Sequence, residues 1–333
     1  MRRFRQRAGT AAALLAIGTL GLAACSSSGS TTAASAAKAT STAGAGATNY
    51  DTVTSGAITV GIYAGGLPYV EDVNGKCVGI DCSILNAVAA KLGLKVVVDV
   101  MSFPAMLAGV ESHRIDLAMG ELSWTAERAQ AGLMTDPIYY SRAAVIQPVG
   151  SNISTIPQLQ GKSVGVLVGA NWIPAVQAIP GTSVKTYNSA DEIYSDISIG
   201  RLQAGFIDAL QDQYVKKIKP EFHYNSIPLQ VTAAELKQHS VYATYLENQE
   251  VFFMNKGEAT LEKAMNVVIQ QMWENKSIEG FLKAFGVQNP VPYLTPTSAV
   301  LNRRGVDRPG NWVPPSLGYT PASYAGRPAA GTD

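Results

Sequence analysis

From residue 57 onward the apolar positions alternate between two kinds of pattern. Short apolar runs of strand length stand at 58–63, 95–100 and from Ile115 to Met119. Between them lie segments with apolar residues at helical spacing. Ile84, Leu85, Val88 and Leu92 mark a helix over 83–92 that Gly93 ends, and a second helix covers 103–111. The stretch 75–81 reads as a turn, a strand and a helix N-cap at Asp81. The same alternation begins again further on. It predicts strands at 162–168, 184–187 and 204–207, and helices at 172–178, 189–199 and 209–217. An extended crossover over 143–148 separates the two units. Residues 241–255, rich in Tyr, Phe and Val, read as a return strand, and helices over 260–274 and 277–285 close the pattern. Such alternation implies largely parallel sheets covered by helices on both faces.

The two ends of the chain do not share this pattern. Arg2, Arg3, Arg5 and Arg7 precede an apolar run over 11–24, too short for a comfortable transmembrane span and followed by polar residues. A secretory signal over 1–24 fits better. Leu22-Ala23-Ala24-Cys25 resembles the lipobox of bacterial lipoproteins, which implies cleavage before Cys25 and attachment of lipid to it. Residues 25–49, nearly all Ser, Thr, Ala and Gly, carry too little apolar surface to fold. As a flexible tether they span roughly 27 Å root-mean-square. Residues 291–333 are rich in Pro and Gly and show no period; they either wrap a surface through Tyr293, Trp312 and Tyr319 or stay loose.

Charge and cysteine content narrow the classes. The chain has 26 basic and 25 acidic residues, and loss of the four signal arginines leaves a net charge of −3. No basic run is present, which argues against nucleic-acid binding. Cys77 and Cys82 remain beside Cys25; an oxidising compartment permits a disulfide, but sequence does not give their separation. No metal-ligand set is recognisable. Gly161-Lys162-Ser163 lacks the upstream glycine of a P-loop and precedes its strand. No His-Glu-x-x-His or Gly-x-Ser-x-Gly is present, so no cofactor or catalytic residue is assigned.

The segment 114–128 carries the chemistry. Thr125 is a suitable N-cap and Glu127 suits the helix dipole, but Arg128 in a first turn opposes it unless it meets an anion. Asp116, then Thr125 nine residues on, then Ala126-Glu127-Arg128 resembles the extracytoplasmic solute-binding proteins of the polar-amino-acid type, family 3. The resemblance covers 55–286. It includes Gly75-Lys76 before Gly79-Ile80-Asp81, Asp136-Pro137-Ile138-Tyr139, Gly161-Lys162-Ser163-Val164-Gly165-Val166, and Lys256-Gly257. It implies a two-lobed, type II periplasmic-binding-protein-like α/β fold. Each lobe has a central, mostly parallel sheet flanked by helices, and two crossover strands form a hinge. The first lobe takes 50–144 and 250–290, the second 145–249.

The resemblance also implies a site. Arg128 grips a ligand α-carboxylate, aided by backbone N–H groups of Gly169, Ala170 and Asn171 in a strand-to-helix turn. Asp208 binds the α-ammonium, although the same residue is a favoured N-cap. Gly120 offers a carbonyl and Ser123 a hydroxyl, while Tyr69 and Phe103 line the pocket. Glu121 stands where the family usually has a small residue; it either favours a cationic ligand or turns to solvent. The implied function is an importer's substrate-binding lipoprotein, monomeric and held on the outer face of the cell membrane by Cys25. It captures a polar α-amino acid for a membrane permease, a cationic one if Glu121 faces the ligand. Two alternatives share the fold: a secreted cyclohexadienyl dehydratase using Glu121, and a sensor subunit.

Overall fold

A computed structural model describes residues 49–317, which belong to one compact unit. The signal, Cys25, nearly all of the tether and Tyr319 lie outside the described residues. Two five-stranded sheets dominate. In the first, Lys95–Val100, Ala57–Ile62 and Leu117–Ala118 run parallel; Phe253–Met254 and Leu133–Met134 then join antiparallel. In the second, Ser183–Tyr187, Ser163–Leu167 and Ala204–Asp208 run parallel, followed by Ala143–Gln147 and Asn225–Pro228, both antiparallel. Both sheets are therefore mixed, with the same order of pairings.

The parallel strands follow from the helices that return the chain. Ile80–Leu92 presents Ile84, Leu85 and Val88 to the first core at helical spacing, and Gly93 closes it in a left-handed conformation. Ala190–Ser198 does the same in the second lobe with Ile193, Tyr194 and Ile197, started by a capping box between Ser189 and Glu192.

Three expectations change. The crossover placed at 143–148 is instead an inner strand of the second sheet, Ala143–Gln147, all five residues buried between two neighbours. The chain crosses just before it: Tyr139–Ser141 pairs antiparallel with Asn248–Glu250 in a two-stranded ribbon between the lobes. The return strand over 241–255 is broken. Ser240–Tyr245 is a 3-10 turn, whose three-residue repeat puts Tyr242 and Tyr245 on one side, stacked on each other and packed in the second core. The aromatic residues read as strand formers are core anchors. Asp81 is not an N-cap. Gly79 takes that position at φ 137°, where an added Cβ would lie 1.9 Å from the Tyr69 carbonyl. Cys77 and Cys82 form a disulfide with Cα atoms 5.2 Å apart, tying the Lys76–Val78 strand to the helix start.

The Pro/Gly-rich end is folded as far as it is described. Val291–Leu294 is helical, Ser298–Arg303 is a 3-10 turn, and Trp312 is buried. Gln249 donates to the Val300 carbonyl, and Tyr140 donates to the Pro315 carbonyl, so this strap lies against both strands of the hinge ribbon.

Candidate functional site

The Arg128 helix is short, Ala126–Ala131, and the Thr125 hydroxyl caps it by accepting from the Arg128 N–H at 3.1 Å. Asp116, from the same sequence motif, is buried and holds backbone instead: its oxygens accept the Val53 and Thr59 N–H groups at 2.7 and 2.5 Å. Arg128 projects into the space between the lobes. Its two terminal nitrogens donate to the Ser123 carbonyl at 2.7 Å and, across the cleft, to the Gly169 carbonyl at 3.0 Å. The Phe103 ring lies 5.5 Å beneath the guanidinium carbon. Burial pulls the Arg128 pKa down to about 10 despite the opposing pull of Glu250.

Asp208, the last residue of the strand Ala204–Asp208, comes from the second lobe and is fully buried; it does not line the cavity that Arg128 lines. One oxygen accepts from the Leu210 N–H at 2.8 Å, capping the helix Ala209–Ile218, and also from the Tyr69 hydroxyl. Its second oxygen, Oδ2, is buried and accepts no hydrogen bond among the described residues. Burial raises its pKa, against the lowering effect of the Tyr69 and Leu210 hydrogen bonds. Capping and an open acceptor thus coexist on one carboxylate.

Each other expected residue has a definite place. Gly120, Glu121, Ser123, Ala170 and Asn171 line one cavity with Phe103, Arg128 and Tyr63. Tyr63 meets the Phe103 ring edge-on at 6.3 Å. Tyr69 acts differently from the expected lining residue. Its ring is fully buried and stacked on Tyr139, and its hydroxyl reaches Asp208. The anion-binding turn also differs from expectation. The Ala170 N–H donates to the Leu167 carbonyl at 3.1 Å, and Gly169, at φ 80°, turns its carbonyl to Arg128. Asn171 donates through its amide to Asn248 at 2.9 Å. The Gly120 N–H, with that of Glu121, donates to Asp81. The Ser123 hydroxyl donates to Glu250 at 3.1 Å.

Sequence reasoning misses two of these partners. Asp81 is buried and also accepts from the Tyr139 hydroxyl at 2.6 Å; burial pushes its pKa up to about 7. Glu250, on the returning hinge strand, accepts from Ser123 and, at 2.6 Å, from Ser141. Burial, then the nearby Asp208 charge, pushes Glu250 up to about 8. The polar triplet Asn248-Gln249-Glu250, directly before an apolar strand, is the available signal. Glu121, at φ 53°, has its pKa raised by burial first, then by Asp208, Glu250 and Asp81. Asp81, Glu121, Asp208 and Glu250 are thus buried near one another, and of the four Glu250 acts on the Arg128 guanidinium; such a cluster is tolerated by holding protons or meeting a cation.

Elsewhere, His113, Asp116 and Glu258 bring ligand-type atoms within 4.8 Å of one another. His113 bonds Glu258 at 3.0 Å and Asp116 is engaged by backbone, so these groups have structural partners already.

Two lobes, a hinge ribbon and a charged cleft define a type II periplasmic binding protein. Residues 58–288 match the bacterial extracellular solute-binding proteins, family 3, and the chain belongs to that family. It is 31% identical over 147 residues to the lysine/arginine/ornithine-binding periplasmic protein of Escherichia coli (strain K12), covering 43% of this chain and 55% of that protein. Over 232 residues it is 27% identical to the L-cystine-binding protein TcyJ of the same strain, covering 67% of this chain and 80% of that one. The chain spans about half the length of the first of these relatives. Among solved structures, an ancestral arginine-binding protein bound to glutamine is similar at TM-score 0.60 and 24% identity, over 70% of this chain and 99% of the other. The ancestral amino acid-binding protein AncCDT-1, a precursor of cyclohexadienyl dehydratase, is similar at TM-score 0.58 and 19% identity, over 69% of this chain and 95% of that one. No described helix is long and apolar enough to cross a membrane.

Proposed function

We propose that this protein is the extracytoplasmic substrate-binding component of an ABC importer, tethered through a lipid on Cys25. It captures a polar α-amino acid between its lobes and presents the closed form to a membrane permease. The observation that carries the reading is the placement of Arg128 and Asp208. One cation comes from the first lobe and one anion, with an oxygen unpartnered among the described residues, from the second. An α-amino acid carries the complementary pair, an α-carboxylate for Arg128 and an α-ammonium for Asp208 Oδ2. Both charges are met only when the lobes approach, so ligand favours closure by its higher affinity for the closed form. Binding requires Arg128 to leave the Gly169 carbonyl, while Asp208 Oδ1 keeps its Tyr69 and Leu210 donors. Names of relatives that bind lysine, arginine, ornithine or L-cystine support the ligand class.

Isothermal calorimetry with the twenty standard amino acids, ornithine and citrulline tests this. Heat of binding with at least one of them is expected; none with any would refute the reading. A second reading, a dehydratase on the same fold, has one observation in its favour: Glu121 and Glu250 are carboxyls held toward their protonated forms in the cleft, as a general acid requires. Turnover of prephenate or arogenate would promote it over transport.

A further inference from the structure

We infer that Glu250 on the returning hinge strand, together with Glu121, forms a second acidic subsite that selects a cationic side chain, so that the ligand is an amino acid with a guanidinium or ammonium at its far end. This rests on the proposed amino-acid clamp, in which Arg128 and Asp208 already match the ligand's own carboxylate and ammonium.

The subsite follows from which acceptors remain. Asp81 is internally occupied by two backbone N–H groups and the Tyr139 hydroxyl. Glu250 is fully buried, and both serine hydroxyls, from Ser123 and Ser141, reach the same oxygen, Oε1. Its other oxygen, Oε2, is buried with no hydrogen-bond partner among the described residues. Two donors on one oxygen orient the carboxylate and leave the other oxygen for a further donor. Ser123 itself lines the cleft cavity, so Glu250 stands directly behind that wall. The Glu121 carboxyl accepts no hydrogen bond among the described residues and lines the same cavity, beside the Tyr63 and Phe103 rings. A neutral zwitterion leaves both glutamates without a counter-charge. A side-chain cation supplies one, and a planar guanidinium also finds aromatic faces. Glu250 lies within the ribbon that joins the lobes, opposite Tyr139, so a cation bound there touches the hinge itself.

The test compares Kd values for the full chain with L-arginine, L-lysine and L-ornithine against L-citrulline, L-glutamine and L-cystine. The expected result is a best cationic ligand at least about tenfold tighter than the best of the other three, since losing a donor to a buried charged acceptor costs about ten- to a hundredfold. Glu250→Gln and Glu121→Gln should each reduce that ratio about tenfold or more. A role limited to holding Ser123 and Ser141 would weaken all ligands alike and overturn the inference. Tightest binding of L-glutamine, L-citrulline or L-cystine by the unaltered protein would overturn it too, with the amino-acid reading intact. Absence of binding by all six would overturn it as well, whereas the amino-acid reading falls only if none of the twenty standard amino acids, ornithine and citrulline binds. Thermal unfolding checks that Glu250→Gln folds; if it does not, Glu121→Gln, at a partly exposed position, decides between selection and scaffolding alone.

Discussion

The two sides of the hinge ribbon handle charge in opposite ways. On the cleft side, Asp81, Glu121, Asp208 and Glu250 lie near one another with only Glu250 acting on the Arg128 guanidinium, and oxygens of Asp208 and Glu250 stay buried without partners among the described residues. On the strap side, Arg303 and Arg308 face Asp136, Asp307 and Glu262, and the pairs close at hydrogen-bond distance. Arg308 meets Asp136 at 3.0 Å and Glu262 at 3.2 Å. Arg303, fully buried, pairs with Asp307 and donates to the carbonyls of Met134 and Thr135 at 3.0 and 2.9 Å; its guanidinium also lies 5.4 Å from the Trp312 ring centre. Both sides are rich in buried charge. A network whose donors and acceptors match within the chain stabilises one geometry. One that is short of cations stabilises the geometry only when something else supplies them. The strap-side network holds Met134, Thr135 and Asp136 to the helix Ala259–Glu274, whereas on the proposed clamp the cleft-side acids make closure depend on ligand.

That contrast can be broken by substitution. Arg303→Ala should destabilise the fold by about 2–3 kcal/mol, because the buried Thr135 carbonyl loses its side-chain donor and Asp307 its closest partner, while Arg308 still donates to Asp307 and to the Met134 carbonyl. Chemical denaturation measures this, and ligand affinity of the remaining folded protein should be nearly unchanged. An unfolding free energy within about 1 kcal/mol of the unaltered protein would show that this network does not hold the strap to the first lobe.

A pH titration sharpens it. Glu250 and Asp81 have folded pKa values above their ordinary ones, so the folded protein binds protons that the unfolded chain releases. Unliganded stability therefore falls as pH rises, from the ordinary carboxyl range up to about 8 for Glu250 and about 7 for Asp81. The slope is up to about 1.4 kcal/mol per pH unit for each group while it titrates. A cationic ligand should flatten this slope and be accompanied by proton release. Unliganded stability that rises steadily between pH 5 and 8 would contradict the picture of uncompensated acids. The smallest expected effect is that of the disulfide. Replacing Cys77 and Cys82 by Ser frees a short loop and should cost roughly 2 kcal/mol, with the cleft's affinity unaltered.

Much of this molecule is legible in its sequence, for reasons that differ between residues. The helix Ile80–Leu92 and the strand Ser163–Leu167 are readable because their patterns are local. So is the Thr125 cap on the Arg128 turn. The return strand is not, because Tyr242 and Tyr245 suit a strand as well as a core-facing 3-10 turn, and only packing in the second lobe decides between them. In the cleft, the chemical types at Arg128 and Asp208 are visible, but their partners are not. Glu250 joins Ser123 from 127 residues away and Ser141 from 109 away, contacts that no local window holds. The same holds for Arg303, whose carbonyl partners lie 168 and 169 residues upstream.

The clamp itself is tested most directly by calorimetry on Arg128→Ala and Asp208→Asn with whichever amino acid the unaltered protein binds tightest. Each variant should lose at least about a hundredfold in affinity, the scale of a buried charge-assisted contact, while its unfolding temperature stays within a few degrees. Near-normal affinity in both folded variants would contradict the account.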